Sequence, residues 1–209
     1  MTAPLGALEI GSRSARAVSV TRRTRETEVE VRLDLDGGGR ASVATGVGFY
    51  DHLLAALAHH ALFDLEVSAT GDLAVDEHHT VEDVALVLGA ALAEALGDRA
   101  GIVRFGDAAV PLDEALASAV VDVGGRPYAV IDLPFRGERI GAFPTQLVDH
   151  AVEAFARAAG ATVHLRGAGR DDHHLAEAAF KALGRALRAA VAPDPRRGGA
   201  PASTKGSLG

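Results

Sequence analysis

The stretch DEHHTVEDVALVLGAALAEALG at residues 76–97 decides the fold, because residues 171–191, DDHHLAEAAFKALGRALRAAV, repeat its pattern. Each stretch opens with two acidic residues and two histidines and continues with a run rich in Ala, which predicts a long helix. The first helix is expected from about His79 to Leu96, closed by Gly97, and the second from about His174 to Val191, closed by a proline. Two long helices that begin alike indicate a duplicated chain.

The elements that precede these helices follow the same order in both halves. Alternating or apolar runs predict strands, and Gly-rich turns separate them from helical runs. The predicted elements are a strand at 27–35, a helix at about 50–60 and a strand at 65–69, then strands at 119–123 and 128–133, a helix at about 145–159 and a strand at 162–166. Any α/β chain repeats strands and helices, but here His52 and His150 also fall in matching helices. Duplication is therefore the preferred interpretation.

Three segments follow from this duplication. We expect a first half at residues 1–98, a second half at 99–192 and a C-terminal tail at 193–209, in an α+β fold with helices packed closely against sheets. The Gly, Pro and Ser content of the tail is typical of disorder. Its stretch Ser203–Gly206 instead suggests a segment that closes over an anion.

The composition argues against several classes of function. A net charge of −7 argues against a general nucleic-acid binder, which usually presents a basic face. The absence of cysteine removes disulfides, thiolate metal ligands and cysteine nucleophiles, and it fits a cytoplasmic protein. The sequence has neither a signal-peptide pattern nor an uncharged apolar run of about 18 residues, so no membrane partner is expected.

The doubled histidines predict a metal site. Residues three and four apart share one face of a helix, so His79 and Glu82 are expected to converge on one ion. The neighbouring histidine is rotated by about 100° and can serve a second ion. Imidazole and carboxylate ligands without thiolate suit Mn, Fe, Zn or Ni. The candidate ligands, six histidines and two glutamates that divide into two sets of four, are His52, His78, His79, Glu82, His150, His173, His174 and Glu177.

Several segments resemble the imidazoleglycerol-phosphate dehydratases. They include residues 45–82, GIVRFGDAAVPLDE at 101–114, GRPY at 125–128, the DDHHLAEAAFKAL stretch and STKG at 203–206. The resemblance implies an internally duplicated fold whose halves are similar to domain 2 of ribosomal protein S5, with helices packed between two mixed β-sheets. It also implies two Mn²⁺ ions per active site and a homo-oligomer of 24 subunits with its sites between subunits.

The resemblance further implies a reaction, the dehydration of D-erythro-imidazole glycerol phosphate to imidazole acetol phosphate in histidine biosynthesis. The leaving hydroxyl is on the carbon next to the imidazole ring, where simple base-catalysed elimination is hard. A metal on the ring nitrogens would act as a Lewis acid and make this elimination easier. Proton loss from the next carbon would then give an enol, which becomes the ketone.

The resemblance also implies roles for further residues. Glu26 matches a glutamate near the substrate and is the first candidate for a general acid or base. Lys181, one turn after Glu177, is expected to contact substrate or metal-bound water, and these three residues form the expected catalytic set. The alternatives are that Glu26 is a solvated strand residue and that Lys181 is a solvent-facing helix residue. The phosphate is expected to bind Arg104, Arg126, Ser203 and Lys205.

Two positions depart from the family pattern, and more than one function fits the candidate ligands. Ala56 stands where many members have Gln, and the segment Gly167–Gly169 is shorter and smaller than usual. The same ligands would permit a binuclear metal hydrolase that acts on a small phosphorylated substrate. Solvent-facing histidines, an S5-like RNA-binding module or a metal-storage protein would each account for part of the pattern, although the acidic balance argues against RNA.

Overall fold

A computed structural model describes residues 6–206 and residue 208 of the chain. The strands are β1 (Leu8–Ser14), β2 (Ala17–Arg23), β3 (Thr27–Asp34), β4 (Ala41–Ala44), β5 (Asp64–Gly71), β6 (Phe105–Leu112), β7 (Ala115–Asp122), β8 (Tyr128–Asp132), β9 (Arg139–Ile140), β10 (Phe143–Pro144) and β11 (Thr162–Ala168). The α-helices are α1 (Gly48–Ala61), α2 (His78–Leu96), α3 (Gln146–Ala159) and α4 (Asp172–Val191).

The two main sheets have matching topologies. The first has the order β1-β2-β3-β5-β4 and the second the order β6-β7-β11-β8. In each sheet only the last pair, β5 with β4 and β11 with β8, is parallel. Strand β1 extends the first sheet at its edge, and β9 and β10 form a separate short hairpin. The shared strand order confirms that the fold is internally duplicated.

The four helices form a layer between the sheets. Helix α2 packs on β2 and β3, α4 packs on β6 and β7, and the helices pair as α2 with α3 and α1 with α4. Alternation along the strands explains this arrangement, since Leu33 of β3 faces the core whereas Glu28 and Arg32 face outward. The predicted α+β fold with helices between two mixed sheets is therefore confirmed.

One glycine in each helix pair allows the two helices to approach closely. A Cβ added at Gly89 of α2 would collide with the backbone of Phe155 in α3, and one added at Gly184 of α4 would collide with the backbone of Leu57 in α1. Only glycine permits this approach of two backbones. Both glycines follow the doubled histidines by the same number of residues, so the close helix crossing is duplicated too.

The two helices in each pair run in the same direction. His78 lies beside His150, and Gly89 lies farther along beside Phe155. The same holds for His52 beside Glu177 and Leu57 beside Gly184. At the start of α1, the ring of Phe49 lies 5.6 Å from that of Phe143, which precedes α3. The N-terminal ends of all four helices therefore meet at one edge of the layer.

The C-terminal tail is packed onto the second half. Pro193 and Pro201 form β-bridges with Ile102 and Ala100, and Pro195–Arg197 forms a short 3-10 helix. The disorder suggested by its composition is therefore wrong for residues 193–206. The glycines and prolines instead shape a chain that returns across residues 100–104. None of the helices among the described residues combines the length and hydropathy needed to cross a bilayer.

Candidate active site

The first cluster of candidate ligands joins helices α1 and α4. The Nε2 atoms of His52 and His173 lie 3.0 and 3.2 Å from the same carboxylate oxygen of Glu177. The close crossing at Gly184 brings the histidine of α1 to the start of α4. The ring of Phe49 lies 5.1 Å from that of His173 and forms an apolar wall beside the cluster.

The second cluster joins helices α2 and α3 in the same way. His78, Glu82 and His150 bring one ligand atom each within 4.8 Å of one another, as the first cluster does. The two imidazole rings are 4.4 Å apart, centroid to centroid. The Nε2 atom of His150 is buried and has no hydrogen-bond partner among the described residues. A buried imidazole nitrogen without a partner, beside a carboxylate, fits a metal ion.

The expected pairing of His79 with Glu82 is wrong for this chain, because His78 takes that place. Residues four apart on an α-helix are offset by about 40° around the axis, and residues three apart by about 60° in the other direction. Each glutamate therefore meets the first histidine of its motif, four residues earlier. The second histidine points to the sheet side, as the prediction of two diverging histidines requires.

These second histidines, His79 and His174, each contact a carboxylate through Nδ1. His79 Nδ1 lies 3.0 Å from Asp72 and 3.7 Å from Glu26, and the hydrogen bond to Asp72 is the main cause of its raised pKa. His174 Nδ1 lies 2.9 Å from Glu114, whose hydrogen bond is the main cause of the raised pKa of His174. Both histidines leave Nε2 available for a further partner.

Lys181 is held inside the first cluster. Its Nζ lies 2.7 Å from Glu177 and its side chain is only 19% exposed, so the solvent-facing alternative is wrong. Burial acts to raise the pKa of Glu177, but hydrogen bonds from Lys181 and His52, together with their charges, lower it to about 2. Glu177 is therefore an anion that two histidines and a lysine share.

All four residues expected to bind phosphate line one cavity of about 560 Å³. Arg104 is largely buried, donates to both carboxylate oxygens of Asp122 and donates to the carbonyl oxygen of Ala202 in the tail. Arg126 is 74% exposed, with its guanidinium 4.0 Å from Asp122. The tail thus closes over a cationic cavity whose walls include Arg104, Arg126, Ser203 and Lys205.

This cavity and the first cluster lie at opposite ends of α4. The backbone N–H of Arg104 donates to the carbonyl oxygen of Ala190, near the end of the helix. Ala190 lies 13 residues after Glu177, which is about 20 Å along an α-helix. The cationic cavity and the metal-type ligands of one chain are therefore far apart.

Two carboxylates of this region were not predicted from the sequence. Asp72 and Glu114 contact the Nδ1 atoms of the second histidines, yet both stand in turns with no motif of their own. For Glu114 a signal existed, because the residue follows β6 as Glu26 follows β2. That alignment required strands β2 and β6, which were not predicted from the sequence; β6 contains a glycine and a proline, and β2 ends in a polar run.

The chain matches known proteins along most of its length. Residues 45–187 match the family model "Imidazoleglycerol-phosphate dehydratase". Over 93% of this chain and all of the relative, it is 55% identical to an imidazoleglycerol-phosphate dehydratase of Acidiphilium cryptum. Over 92% of this chain and all of the relative, it is also 55% identical to one of Methanoculleus marisnigri.

Solved structures agree with this similarity. A crystal structure of IGPD from Pyrococcus furiosus in complex with (S)-C348 superposes with a TM-score of 0.78 at 37% identity, over 90% of this chain and 99% of that one. The Staphylococcus aureus imidazoleglycerol-phosphate dehydratase gives a TM-score of 0.74 at 35% identity, over 79% of this chain and 95% of that one. The chain therefore belongs to the imidazoleglycerol-phosphate dehydratase family of histidine-biosynthesis hydro-lyases.

Proposed function

We propose that the chain dehydrates D-erythro-imidazole glycerol phosphate to imidazole acetol phosphate in the cytoplasm, with bound Mn²⁺. The observation that carries the proposal is the presence, in one fold, of two equivalent His-His-Glu clusters and a cationic cavity. The clusters fit groups that bind an imidazole through metal, and the cavity fits the phosphate at the other end of that substrate.

The proposed metal ligands form two sets of four. His52, His173 and Glu177 form one partial set, and His78, Glu82 and His150 form the other. The fourth ligands, His79 and His174, come from neighbouring subunits. When bound, the metal supplies a Lewis acid for the imidazole ring of the substrate. The buried, unpartnered Nε2 of His150 supports this assignment, because a buried position of that kind favours a ligand over solvent.

The residues of the chain provide the proton transfers. The C–OH bond next to the ring breaks, the proton on the adjacent carbon is removed, and water leaves. The resulting enol becomes the ketone when a proton is returned to the carbon beside the ring. Glu26 is the proposed acid and base, since its carboxylate is 55% exposed and lies near His79. Lys181 and Glu177, already paired, are proposed to orient the substrate or a bound water.

The phosphate is proposed to bind in the cationic cavity. Arg126 and Lys205 are the exposed cations of this set and are the proposed phosphate contacts. Arg104 is already bound to Asp122 and to the tail, so its first role is to hold residues 202–205 in place. The hydroxyl of Ser203 lies 3.2 Å from the backbone nitrogen of Lys205 and adds a neutral donor to the wall.

A complete site requires more than one chain. The imidazole and phosphate of the proposed substrate are joined by only three carbons, far less than the distance along α4 between Glu177 and Ala190. One chain therefore cannot offer its own cluster and its own cavity to one molecule. We propose a homo-oligomer, of 24 subunits as the family resemblance implies, in which neighbours complete each site.

The test of the activity is an assay for imidazole acetol phosphate with metal-free protein, before and after Mn²⁺ is added. We expect no turnover without metal and recovery with it. Hydrolysis of generic phosphoesters without formation of the ketone would favour a binuclear hydrolase instead. Full activity in verifiably metal-free protein would contradict metal dependence.

The test of the shared site is complementation. Arg126→Ala and Glu177→Gln are expected to be inactive or weak alone. Co-expressed with separate tags and purified as mixed oligomers, they should regain activity, because some sites then combine an intact cavity with an intact cluster. Mixed oligomers no more active than the two parents would show that one chain supplies both parts.

A further inference from the structure

Glu26 and Glu114 occupy the same place in the duplicated fold. Each is the last residue of a hairpin turn, Glu26 directly before β3 in one half and Glu114 directly before β7 in the other. The strand that follows has equivalent partners, since Thr27 pairs with Gly71 and the register of β7 with β11 places Ala115 opposite Gly169. Each turn therefore faces the second histidine of its own half.

The two glutamates have different environments. Glu26 is 55% exposed and its carboxylate lies 3.7 Å from His79, whose Nδ1 is already bound by Asp72. Glu114 is 22% exposed. One of its oxygens accepts the backbone N–H groups of Arg170 and Asp171, and the other lies 2.9 Å from Nδ1 of His174. Glu114 is therefore held at both oxygens, whereas the Glu26 carboxylate is mostly exposed and has only the 3.7 Å contact with His79 among the described ion pairs.

A difference at one equivalent position accounts for these two environments. The strand register places Arg170 in the second half where Asp72 stands in the first. The second half thus has no carboxylate from that position to hold its histidine. Glu114 supplies it from the hairpin turn instead, and the two N–H groups of the following loop keep it there.

We propose that Glu114 is the positioning residue of His174. It accepts the Nδ1–H of His174, which keeps that proton off Nε2 and leaves Nε2 free as a metal ligand for a neighbouring subunit. The proposal rests on the proposed metal-dependent function, in which His174 completes one of two ion sites. Carboxylates that hold a ligand histidine in this way set its tautomer and orientation.

Glu114→Gln tests the proposal because it reverses one hydrogen bond and keeps the others. The two backbone N–H groups retain the amide oxygen, so the amide nitrogen faces His174 and donates to Nδ1. The proton of the imidazole then lies on Nε2, where it blocks the metal. In Mn²⁺ titrations followed by electron paramagnetic resonance, one of two classes of ion should bind about 10- to 100-fold more weakly, and the other class should be unchanged.

Two further variants make the result specific. Asp113→Asn removes the same charge beside His174, 4.0 Å from Nε2, but leaves the Nδ1 hydrogen bond intact, so both classes should bind as in the wild type. His174→Ala should weaken the same class as Glu114→Gln, which identifies that class.

The outcomes separate this inference from the proposed function. Wild-type protein that binds no Mn²⁺ would overturn both. Wild-type binding of two ions with unchanged binding in Glu114→Gln would overturn the positioning role alone. Equal weakening in Asp113→Asn and Glu114→Gln would also overturn it, because charge rather than the tautomer would then be the cause.

Discussion

The two halves of the molecule share one fold but use their charged side chains differently. In the first half the cluster carboxylate Glu82 pairs with Arg157, which is 61% exposed, whereas in the second half Glu177 pairs with Lys181, which is 19% exposed. The second half also carries a cationic cavity, where the tail packs across residues 100–104. Duplication thus provided two equivalent clusters, and the cation beside the carboxylate is exposed in one and largely buried in the other.

The hairpin turns also differ between the two halves. The more exposed glutamate, Glu26, belongs to the first half, and the glutamate held by three hydrogen-bonding partners, Glu114, belongs to the second. A group that transfers a proton must be accessible to the substrate, whereas a group that orients a metal ligand must be held in place. In the proposed roles, equivalent positions of the duplicated fold therefore hold an accessible glutamate in one half and a fixed glutamate in the other.

The largest expected effect concerns the exposed glutamate, Glu26. Glu26→Gln should lower kcat by about 100- to 10,000-fold, since general acid–base catalysis contributes that much, while the Mn²⁺ content stays at the wild-type value. Glu28→Gln, in the same strand and paired on the surface with Arg23, is the matched control and should retain activity. Loss of metal from Glu26→Gln, or activity within a few-fold of wild type, would contradict the proton-transfer role of Glu26 and its difference from Glu114.

The next largest effect tests whether the cationic cavity beside the second half binds the phosphate. Arg126→Ala or Lys205→Ala should weaken substrate binding by about 1–3 kcal/mol, because each removes a charged hydrogen bond to phosphate. The exposed Arg32 of the first sheet is the control position, and Arg32→Ala should not change KM. A non-phosphorylated analogue should bind the variants and the wild type alike. Equal losses for substrate and analogue would show that these residues do not contact the phosphate.

The sequence predicted the duplicated core because helices and central strands carry strong periodic patterns. It missed the interior strand β2, the edge strands β1, β4 and β6, and the short strands β9 and β10. An edge strand requires less apolar alternation, and β6 also includes a glycine and a proline. All eight candidate ligands were predicted from the sequence and lie where the N-terminal ends of the helices meet. The histidine predicted as the partner of Glu82 was the wrong one, because that pairing depends on the rotation between residues three and four apart on the helix. Asp72 and Glu114 were missed because the strand register, not a local motif, brings them to their histidines.

A smaller effect tests whether the two helix crossings are equally tight. Gly89→Ala and Gly184→Ala should each destabilise the fold by about 1–3 kcal/mol, because the added methyl group overpacks a backbone contact. Gly89→Ala should be the more harmful, since its Cβ also meets the side chain of Ala158. Denaturant midpoints of the two variants give the comparison. A stabilised variant would show that ordinary helix propensity outweighs the crossing at that site.

The smallest effect depends on pH and compares Asp64 of β5 with the residue at the matching position of β11. Asp64 of β5 accepts hydrogen bonds from the backbone N–H groups of Gly38 and Arg40 and pairs with the Arg40 side chain. These contacts hold the pKa of Asp64 well below its usual range, and the side-chain hydrogen bond from Arg40 is the largest cause. The matching position in β11 is Thr162, whose uncharged hydroxyl donates to the carbonyl oxygen of Arg126.

A carboxyl group whose pKa is depressed by folding stabilises the fold above its unfolded pKa of about 3.9, and this contribution is lost as the pH falls through the folded pKa. The unfolding midpoint of wild type should therefore exceed that of Asp64→Asn at pH 7, and the difference should shrink as the pH falls below about 4. All other titrating groups are shared by the two proteins, so the difference between them isolates Asp64. Thr162→Val should lower the midpoint by an amount that does not change with pH. If the difference in unfolding midpoint between wild type and Asp64→Asn did not change with pH, the charge of Asp64 would not contribute to stability. Asp64 would then act only as a hydrogen-bond acceptor, much as Thr162 acts only as a donor in the other half.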